Sequence, residues 1–311
     1  MNSSPLLKLL SILLISYCYS YFLAKKLPRG MPRLMSMLVV FYAFFRIPRY
    51  FPSSILLRGF ASFFISWISS FKLILFCFDK GDLTLCHSYI DFVVVAAFPL
   101  KINPKFRLSP CHHSSRLRKI VLILTISLII FFFHDTALIF PTSWIVIFIY
   151  LCTKPHTEVI PLLNEPHKST SLQTFWGKRW NKISSNVLRE TIYDPIKTAI
   201  NPYKDDNNID GRTKVVALII TLIVSGIMHE IMFYHMSCGM KPTWEVTYFF
   251  VLHGICMAFE MVVKRSWVRT LGWSTLHPVI SVPLTLGFLL VTSYWLLVLP
   301  VWRISGMRCD V

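Results

Sequence analysis

Long apolar runs separated by short polar loops set the pattern of this chain of 311 residues. Three runs in the C-terminal half, at 214–236, 243–263 and 278–301, have the length of about 20 residues that a helix needs to cross a bilayer. The run at 6–24 has a similar length, and two lysines follow it in place of a signal-peptide cleavage site. We therefore expect an all-α membrane protein with a retained first helix.

The N-terminal half contains shorter and less regular apolar segments. Residues 60–78 predict a span in which Lys72 either reaches the membrane surface or faces inward. Residues 34–45 are too few to cross and predict a re-entrant or tilted helix, whereas 120–133 and 137–152 form either two short passes or one broken pass. The whole pattern predicts a polytopic protein with roughly seven to nine transmembrane or re-entrant helices.

The segment at 172–191 has a helical periodicity. Apolar side chains recur there at i, i+3 and i+4 and share one face of the predicted helix: Leu172, Phe175, Trp176, Trp180, Ile183 and Val187. Asn181 lies roughly opposite the centre of this stripe, and residues 169–171 offer hydroxyl N-caps. The pattern predicts one amphipathic helix on or in the membrane interface.

The composition excludes a soluble domain, because 54% of the residues are hydrophobic and only 15% are charged, whereas soluble domains carry about 25% charge. The net charge of +17 comes mostly from short loops, which favours positive-inside topology and contact with anionic membrane lipid. The same charge would also attract an anionic soluble substrate, such as a nucleotide-bearing acyl carrier. No basic module with a stacking surface is visible, so we expect no nucleic-acid partner.

Three further patterns are weak. The eight cysteines contain no C-x-x-C pair and fall mostly inside apolar runs, so we interpret them as small core residues and not as a disulfide framework. The adjacent Cys111, His112 and His113 lack distant partner ligands, so we predict no metal site. The pattern His87-x-x-x-Asp91 occurs in some soluble acyltransferases, but nothing else in the chain supports their fold.

His229 is the main candidate for chemistry. It lies about 21 Å along a helix that starts near Val215, at a depth where a charged group costs about 2.5–3.5 kcal/mol. The ring should therefore be neutral and able to accept a proton. Ser225 and Gly226 are small and share its helix face, which leaves room for a neighbour or a substrate. A hydrogen-bonded structural histidine is the equally supported alternative.

A basic, aromatic run ends at Asn181, which is the second candidate. Its amide can donate a hydrogen bond to a developing oxyanion, a contribution of about 2.7–4 kcal/mol. Arg179 falls on the aromatic side of the predicted helix, where a guanidinium needs an anion or a carbonyl as its partner. Trp176 and Trp180 alternatively form an interfacial anchor without a role in chemistry.

Other ionisable residues accompany these candidates along the chain. His253 and Glu260 are seven residues apart and share a helix face within the run at 243–263. Together with Glu230, which directly follows His229, they are candidates for a second layer of polar residues around the site. A buried structural pair is the alternative for His253 and Glu260.

Several stretches carry a family resemblance, namely 16–19, 71–76, 78–81, 171–181, 225–230, 242–247 and 249–254. On these stretches the sequence resembles the plant wax synthases, which are long-chain-alcohol O-fatty-acyltransferases of the membrane-bound O-acyltransferase superfamily. The resemblance implies a single membrane domain over 1–311, whose helices enclose a tunnel, with a core motif region at 169–263. It also implies acyl transfer from acyl-CoA to a hydroxyl group in the endoplasmic reticulum membrane.

The resemblance assigns roles to residues as well. His229 corresponds to the catalytic histidine, which takes the hydroxyl proton, and Asn181 to the polar partner that orients the acceptor or stabilises the oxyanion. The residues expected to contact substrate are Trp176, Lys178, Arg179, Trp180, Lys182, Ser225 and Gly226. Acyl-CoA is the co-substrate, no cofactor is expected, and no activated serine or cysteine accompanies His229 to form an acyl-enzyme.

Alternatives stay open at this level. The acceptor is a long-chain alcohol, a sterol or diacylglycerol, the donor is a long-chain acyl-CoA or acetyl-CoA, and the oligomeric state is undetermined. Relative to the family, the chain lacks an apolar stretch between Tyr150 and Glu165 and has a short tail at 302–311. An inactive or truncated homologue, or a transporter, is therefore a second class of function. Paired inward charges on an interrupted helix would favour transport.

Overall fold

The computed structural model describes residues 5–51, 55–102, 157–203, 210–271 and 277–304. The predicted passes at 120–133 and 137–152 lie outside these residues. The described α-helices are α1 (Pro5–Cys18), α2 (Met31–Ser36), α3 (Leu38–Arg46), α4 (Ile55–Cys77), α5 (Tyr89–Ala97), α6 (Leu172–Thr174), α7 (Lys182–Leu188), α8 (Asp194–Ile200), α9 (Gly211–Met236), α10 (Glu245–Leu271) and α11 (Pro278–Ile304). Wider π-helical turns continue or interrupt several of them, at Tyr19–Leu23, Ser62–Ser69, Phe175–Arg179, Arg189–Tyr193 and Tyr294–Val298. Single 3₁₀ turns occur at Ala24–Lys26, Ile47–Tyr50, Asp82–Leu85 and Pro166–Lys168.

Four of the described helices are long and apolar enough to cross a membrane: α4, α9, α11 and the part of α10 at Glu245–Lys264. They cover the runs that predicted spans from residue 60 and from residue 214 onward, so the prediction of an all-α polytopic membrane protein is confirmed. Lys72 of α4 is buried, so it faces inward. The first predicted helix forms as α1, and its membrane crossing stays a prediction.

The described residues group into two compact units, which divide the chain at Gly81 and at Ile160. The smaller unit, Asp82–Ile160, contains α5, whose N-cap Ser88 accepts a hydrogen bond from the Asp91 backbone N–H. In the same unit, strands β1 (Leu100–Ile102) and β2 (Thr157–Val159) pair antiparallel. The larger unit contains all four candidate spans and every predicted site residue. The prediction of one membrane domain stays a prediction.

Helices α9 and α10 lie side by side within the larger unit. Two glycines permit this approach: a Cβ on Gly226 would lie 3.1 Å from the Cα of Thr247, and one on Gly254 would lie 3.3 Å from Cδ1 of Leu222. Because the later residue of α10 faces the earlier residue of α9, the two helices are antiparallel. Without bulk at these positions the backbones come close, as small residues allow between membrane helices.

Replacing Gly226 by leucine should destabilise this pair. Even a Cβ atom is closer to the Thr247 backbone than ordinary contact allows, so a branched side chain must push α10 away, at a cost of about 1–3 kcal/mol. The measurement is the thermal unfolding midpoint of purified protein in detergent. Gly287 of α11 is a matched control, because a Cβ there meets nothing within 4 Å. Equal midpoints for Gly226→Leu and Gly287→Leu would contradict this account of the packing.

The prediction of one continuous helix at 172–191 is wrong. The helical segment that begins with α6 ends at Trp180, which is extended (φ −101°, ψ 136°), and Asn181 adopts the left-handed conformation (φ 39°, ψ 62°). Asparagine tolerates this conformation better than most residues, and its side-chain oxygen accepts a hydrogen bond from the Ser184 N–H. Asn181 therefore starts α7, and the predicted placement opposite the apolar stripe does not apply.

The interpretation of all eight cysteines as free core residues is wrong at two positions that the structure describes, because Cys18 is exposed and Cys238 is paired. Cys238, in the turn after α9, is disulfide-bonded, whereas Cys18, Cys77, Cys86 and Cys256 are free. Cysteine spacing alone does not fix disulfide pairing, which is why the pattern did not predict this bond. The adjacent Cys-His-His at 111–113 lies outside the described residues.

Candidate active site

The ring of His229 is held in one orientation inside an aromatic cage. Its Nδ1 lies 2.7 Å from the carbonyl oxygen of Ser225, one turn earlier on α9. A carbonyl oxygen can only accept, so Nδ1 carries the hydrogen, and Nε2 of the neutral ring keeps a free lone pair. Among the residues that the structure describes, none forms a hydrogen bond with Nε2. The ring therefore presents a base whose accepting atom is unoccupied.

Two other candidate spans supply the cage. The ring of Trp67, on α4, meets His229 edge-on at a centroid distance of 4.8 Å, and the ring of Phe250, on α10, stacks on it at 4.2 Å. Phe250 reaches this position because Gly226 lets α10 approach, with the Phe250 Cβ only 3.3 Å from where a Gly226 Cβ would lie. The space that Gly226 leaves is thus filled by a neighbouring helix.

Trp176 connects the segment that leads to Asn181 with this cage. Its ring lies 5.4 Å from that of Phe250 and 5.7 Å from that of His253, both on α10. These residues belong to the interior of a candidate span and not to its end. Trp176 therefore packs alongside a membrane helix, one aromatic ring away from His229.

Asn181 itself makes one side-chain hydrogen bond in the described part of the chain, in which its Oδ1 accepts from the Ser184 N–H at 3.2 Å. Its amide N–H groups have no partner among those residues. No hydrogen bond joins Asn181 to His229, so the pairing of the two in chemistry stays a prediction. Its left-handed backbone and its capping bond set where the amide points.

The basic residues beside Asn181 differ in their partners. Arg179 donates from Nη1 to the carbonyl oxygens of Asn164 at 3.3 Å and Glu165 at 3.0 Å. Of the two predicted partner types, an anion or a carbonyl, the structure thus supplies the carbonyl. Trp180 stacks on Phe175 at 5.3 Å. Lys178 is exposed and Lys182 is half-buried, and within the described residues neither side chain has a carboxylate partner.

His253 and Glu260 do not form the predicted pair. The His253 side chain is fully buried, and its Nε2 lies 3.0 Å from the hydroxyl of Thr292 on α11. Glu260 instead forms an ion pair with Lys264 one turn later, and one of its oxygens accepts from the Gln173 N–H at 3.4 Å. The two residues share a helix face, as predicted. They are about two turns apart on it, so each contacts a different neighbour.

Known proteins similar to this chain share one class of activity. The model described as "Membrane bound O-acyl transferase family" matches residues 159–252, which include Asn181 and His229. An Arabidopsis thaliana protein named "Probable long-chain-alcohol O-fatty-acyltransferase 9" is 33% identical over 96% of this chain and 89% of its own length. This chain belongs to the membrane-bound O-acyltransferase family.

Two other Arabidopsis thaliana relatives differ in the acceptor that their names state. "Probable long-chain-alcohol O-fatty-acyltransferase 3" is 34% identical over 92% of this chain and 85% of its own length. "Acyl-CoA--sterol O-acyltransferase 1" is 31% identical over 98% of this chain and 91% of its own length. The protein is therefore a membrane acyltransferase. This confirms the predicted enzyme class, and the alternative of a transporter is not supported.

In this acyltransferase Glu230 has a structural task next to His229. Its buried carboxylate accepts from the backbone N–H groups of Trp244 at 2.9 Å and Thr247 at 3.3 Å, and from the Thr247 hydroxyl at 3.3 Å. These N–H groups belong to the start of α10 and have no partner within the helix. Glu230 therefore caps α10 from α9 and contributes to the position of Phe250.

Replacing Glu230 by alanine should lower the free energy of unfolding by about 1–3 kcal/mol, because two backbone donors at the start of α10 lose their buried acceptor. Glutamine at this position keeps one acceptor oxygen, so Glu230→Gln should lose less stability than Glu230→Ala. Thermal unfolding in detergent measures both variants. Equal stability of the alanine variant and the wild type would show that the capping bonds contribute nothing.

A cavity of about 560 Å³ lies between α10, α11 and the residues that lead into α6. Its lining residues are Thr170, Ser171, Leu172, Cys256, Phe259, Glu260, Val263, Lys264, Pro278, Ser281, Leu284, Thr285 and Phe288. Its size falls within the range typical of small-molecule sites, about 300–1,000 Å³. Neither His229 nor Asn181 lines this cavity, and the predicted tunnel that would contain both stays a prediction.

Sequence reasoning missed the residues that hold the two histidines. Trp67, Phe250 and Thr292 touch the rings of His229 or His253, yet each lies in an apolar run without local distinction. Only Phe250 could have been noticed in the sequence, because it belongs to the stretch at 249–254 that carries the family resemblance. The other two contacts join residues on different helices, which periodicity within one helix does not reveal.

Proposed function

We propose that this acyltransferase transfers a fatty acyl group from acyl-CoA to the hydroxyl of a long-chain alcohol and so forms a wax ester. The observation that carries the proposal is the unoccupied Nε2 of His229, held by the Nδ1 bond to Ser225 in an apolar, aromatic surrounding. The names of relatives that match almost the whole chain support the long-chain alcohol as acceptor. We also propose the endoplasmic reticulum membrane as the site of the reaction, as the family resemblance implies.

In the proposed mechanism, His229 acts as a general base. Nε2 takes the hydroxyl proton while the alcohol oxygen attacks the thioester carbonyl carbon, and Asn181 donates an amide N–H to the oxyanion that forms. The carbon–sulfur bond then breaks, the ester is released, and the thiolate of CoA takes the proton back from His229. The base is thereby restored without an acyl-enzyme. General-base action contributes about 10²–10⁴-fold, and holding both substrates in register contributes about 7–11 kcal/mol.

A sterol is the second candidate acceptor. The relative named as a sterol acyltransferase matches 98% of this chain at an identity close to those of the alcohol acyltransferases. Both acceptors carry one hydroxyl on a large apolar body, so the same base serves either one. The shape of the acceptor site and not the catalytic pair decides between them.

The experiment offers one membrane preparation a panel of acceptors. Microsomes containing the protein receive labelled long-chain acyl-CoA with a long-chain alcohol, a sterol or diacylglycerol, and empty-vector microsomes are the control. Wax ester formed above the control supports the proposal. Sterol ester alone would replace it by the second candidate, and the absence of ester from every acceptor would overturn both.

A further inference from the structure

Two buried polar atoms next to the aromatic cage have no hydrogen-bond partner in the described part of the chain. They are Nδ1 of His253 and Nε1 of Trp176, on rings whose centroids are 5.7 Å apart. Buried polar groups in folded proteins are nearly always paired, because an unpaired one loses its hydration without replacement. Two such atoms on neighbouring rings therefore point to a group that binds between them.

The hydrogen-bonding roles of these two atoms are opposite. The Thr292 hydroxyl donates its single hydrogen to the Phe288 carbonyl oxygen at 2.7 Å, so it accepts from Nε2 of His253 at 3.0 Å. With its hydrogen on Nε2, the neutral His253 ring leaves Nδ1 as a bare acceptor. The indole Nε1 of Trp176 is a donor only. The missing group must accept one hydrogen bond and donate another.

A hydroxyl, a secondary amide or a water molecule meets this requirement, and the proposed reaction decides which substrate group is suitable. The reacting hydroxyl must reach Nε2 of His229, and the ring of Phe250 separates that ring from Trp176. A long-chain alcohol or a sterol has no second hydroxyl to offer. Acyl-CoA does carry a suitable group, because its pantetheine arm has a secondary amide two carbons beyond the thioester sulfur.

The cavity between α10 and α11 gives this arm a route to the pair. Phe288 lines the cavity, and its ring also contacts that of His253 at 5.2 Å. Ser281 on the cavity wall is buried, and its hydroxyl oxygen has no partner within the described residues. Lys264, paired with Glu260, lines the far end of the cavity, about 16 Å along α10 from His253.

We propose that this cavity receives the pantetheine arm of acyl-CoA and that Trp176 and His253 bind the amide next to the sulfur. The Trp176 N–H donates to the amide carbonyl, and Nδ1 of His253 accepts from the amide N–H. Because both atoms are shielded by neighbouring rings, Phe288 turns aside when the arm enters. The proposal rests on acyl-CoA as the donor in the proposed function.

The test compares two acyl donors that differ in this amide. One is the long-chain acyl thioester of N-acetylcysteamine, which keeps the amide, and the other is the same acyl chain on an alkyl thiol of equal length, which lacks it. Wild-type protein should prefer the first donor by about 10- to 100-fold in kcat/KM, as expected for two hydrogen bonds. A wild type without preference overturns the proposal.

Three variants and one control test whether Trp176 and His253 cause the preference for the donor that keeps the amide. Trp176→Phe keeps an aromatic ring without the N–H, and His253→Gln places its amide near Nε2 instead of Nδ1, so each should reduce the preference at least threefold. His253→Asn keeps an acceptor near Nδ1 and should restore most of it. The control is His235→Gln, which changes a buried histidine whose Nδ1 lies 2.8 Å from the Ser62 hydroxyl oxygen. It should leave the preference unchanged. Equal losses with both donors in Trp176→Phe and His253→Gln would mean a structural role or a bound water and overturn the proposal.

A binding measurement separates this inference from the proposed function. The same two thioesters compete with labelled acyl-CoA for purified His229→Ala protein, in which turnover is not required. If the wild type forms no ester with any acceptor, the proposed function fails, while an amide preference in binding still supports the site. If ester forms but neither binding nor turnover distinguishes the two thioesters, the site fails and the function stands.

Discussion

Replacing His229 by glutamine should lower the rate of ester formation by about 10²- to 10⁴-fold. Glutamine has a similar volume and can fill the space between Trp67 and Phe250, but its amide does not take up a proton. The loss should appear in kcat with little change in KM, because the alcohol and acyl-CoA lose no apolar contact. The measurement is the initial rate of wax ester formation in microsomes at saturating acyl-CoA.

The variant must fold for this result to bear on mechanism. Thermal unfolding and gel filtration in detergent report on folding, and His235→Gln is a control for the loss of a buried histidine on the same helix. A folded His229→Gln protein that retains wild-type turnover would remove His229 from the proposed reaction. The Ser225 carbonyl, which fixes the tautomer, would then have a structural role alone.

Replacing Asn181 by aspartate should lower kcat by about 10²- to 10³-fold. The two side chains have nearly the same shape, and both tolerate the left-handed backbone that starts α7. Aspartate also keeps the oxygen that accepts from the Ser184 N–H, so the helix cap remains. What is lost is the amide donor, and a negative charge takes its place near the developing oxyanion.

Asn181→Gly is the matched comparison for the fold. Glycine adopts the left-handed conformation without strain but has no side chain to cap α7, at a cost of a few tenths of a kcal/mol. If Asn181 serves only as a cap, the aspartate variant should be as active as the wild type while the glycine variant is slightly less stable. Full activity of Asn181→Asp would thus exclude the oxyanion role.

The membrane helices could be predicted because length and hydropathy are local properties. An apolar run of about 20 residues that enters a bilayer must satisfy its backbone hydrogen bonds internally, which a helix does. The runs from 214, 243 and 278 accordingly appear as α9, the part of α10 at Glu245–Lys264, and α11, each within a few residues of its predicted limits. His229 likewise became a candidate because it is an ionisable ring at membrane depth within such a run, and the family resemblance assigned it the role of the base.

The break at Asn181 shows where local pattern fails. Residues 172–191 satisfy a helical period, but the structure ends one helix at Trp180 and starts another at Lys182. The first segment packs its Trp176 against α10, and the second continues from a turn that the Asn181 cap stabilises. Periodicity reports which residues share a face of a helix and not whether the helix continues.

The sequence by itself determined that this chain builds membrane helices, and it singled out His229 and Asn181 through motifs shared with a family of acyltransferases. Tertiary structure alone decided what surrounds them: Trp67 and Phe250 around one ring, Thr292 behind another, and Glu230 as the cap of α10. These contacts join residues from different helices, so they depend on the distances between helices, and Gly226 and Gly254 set the distance between α9 and α10. Spacing within one helix contains no information about that distance.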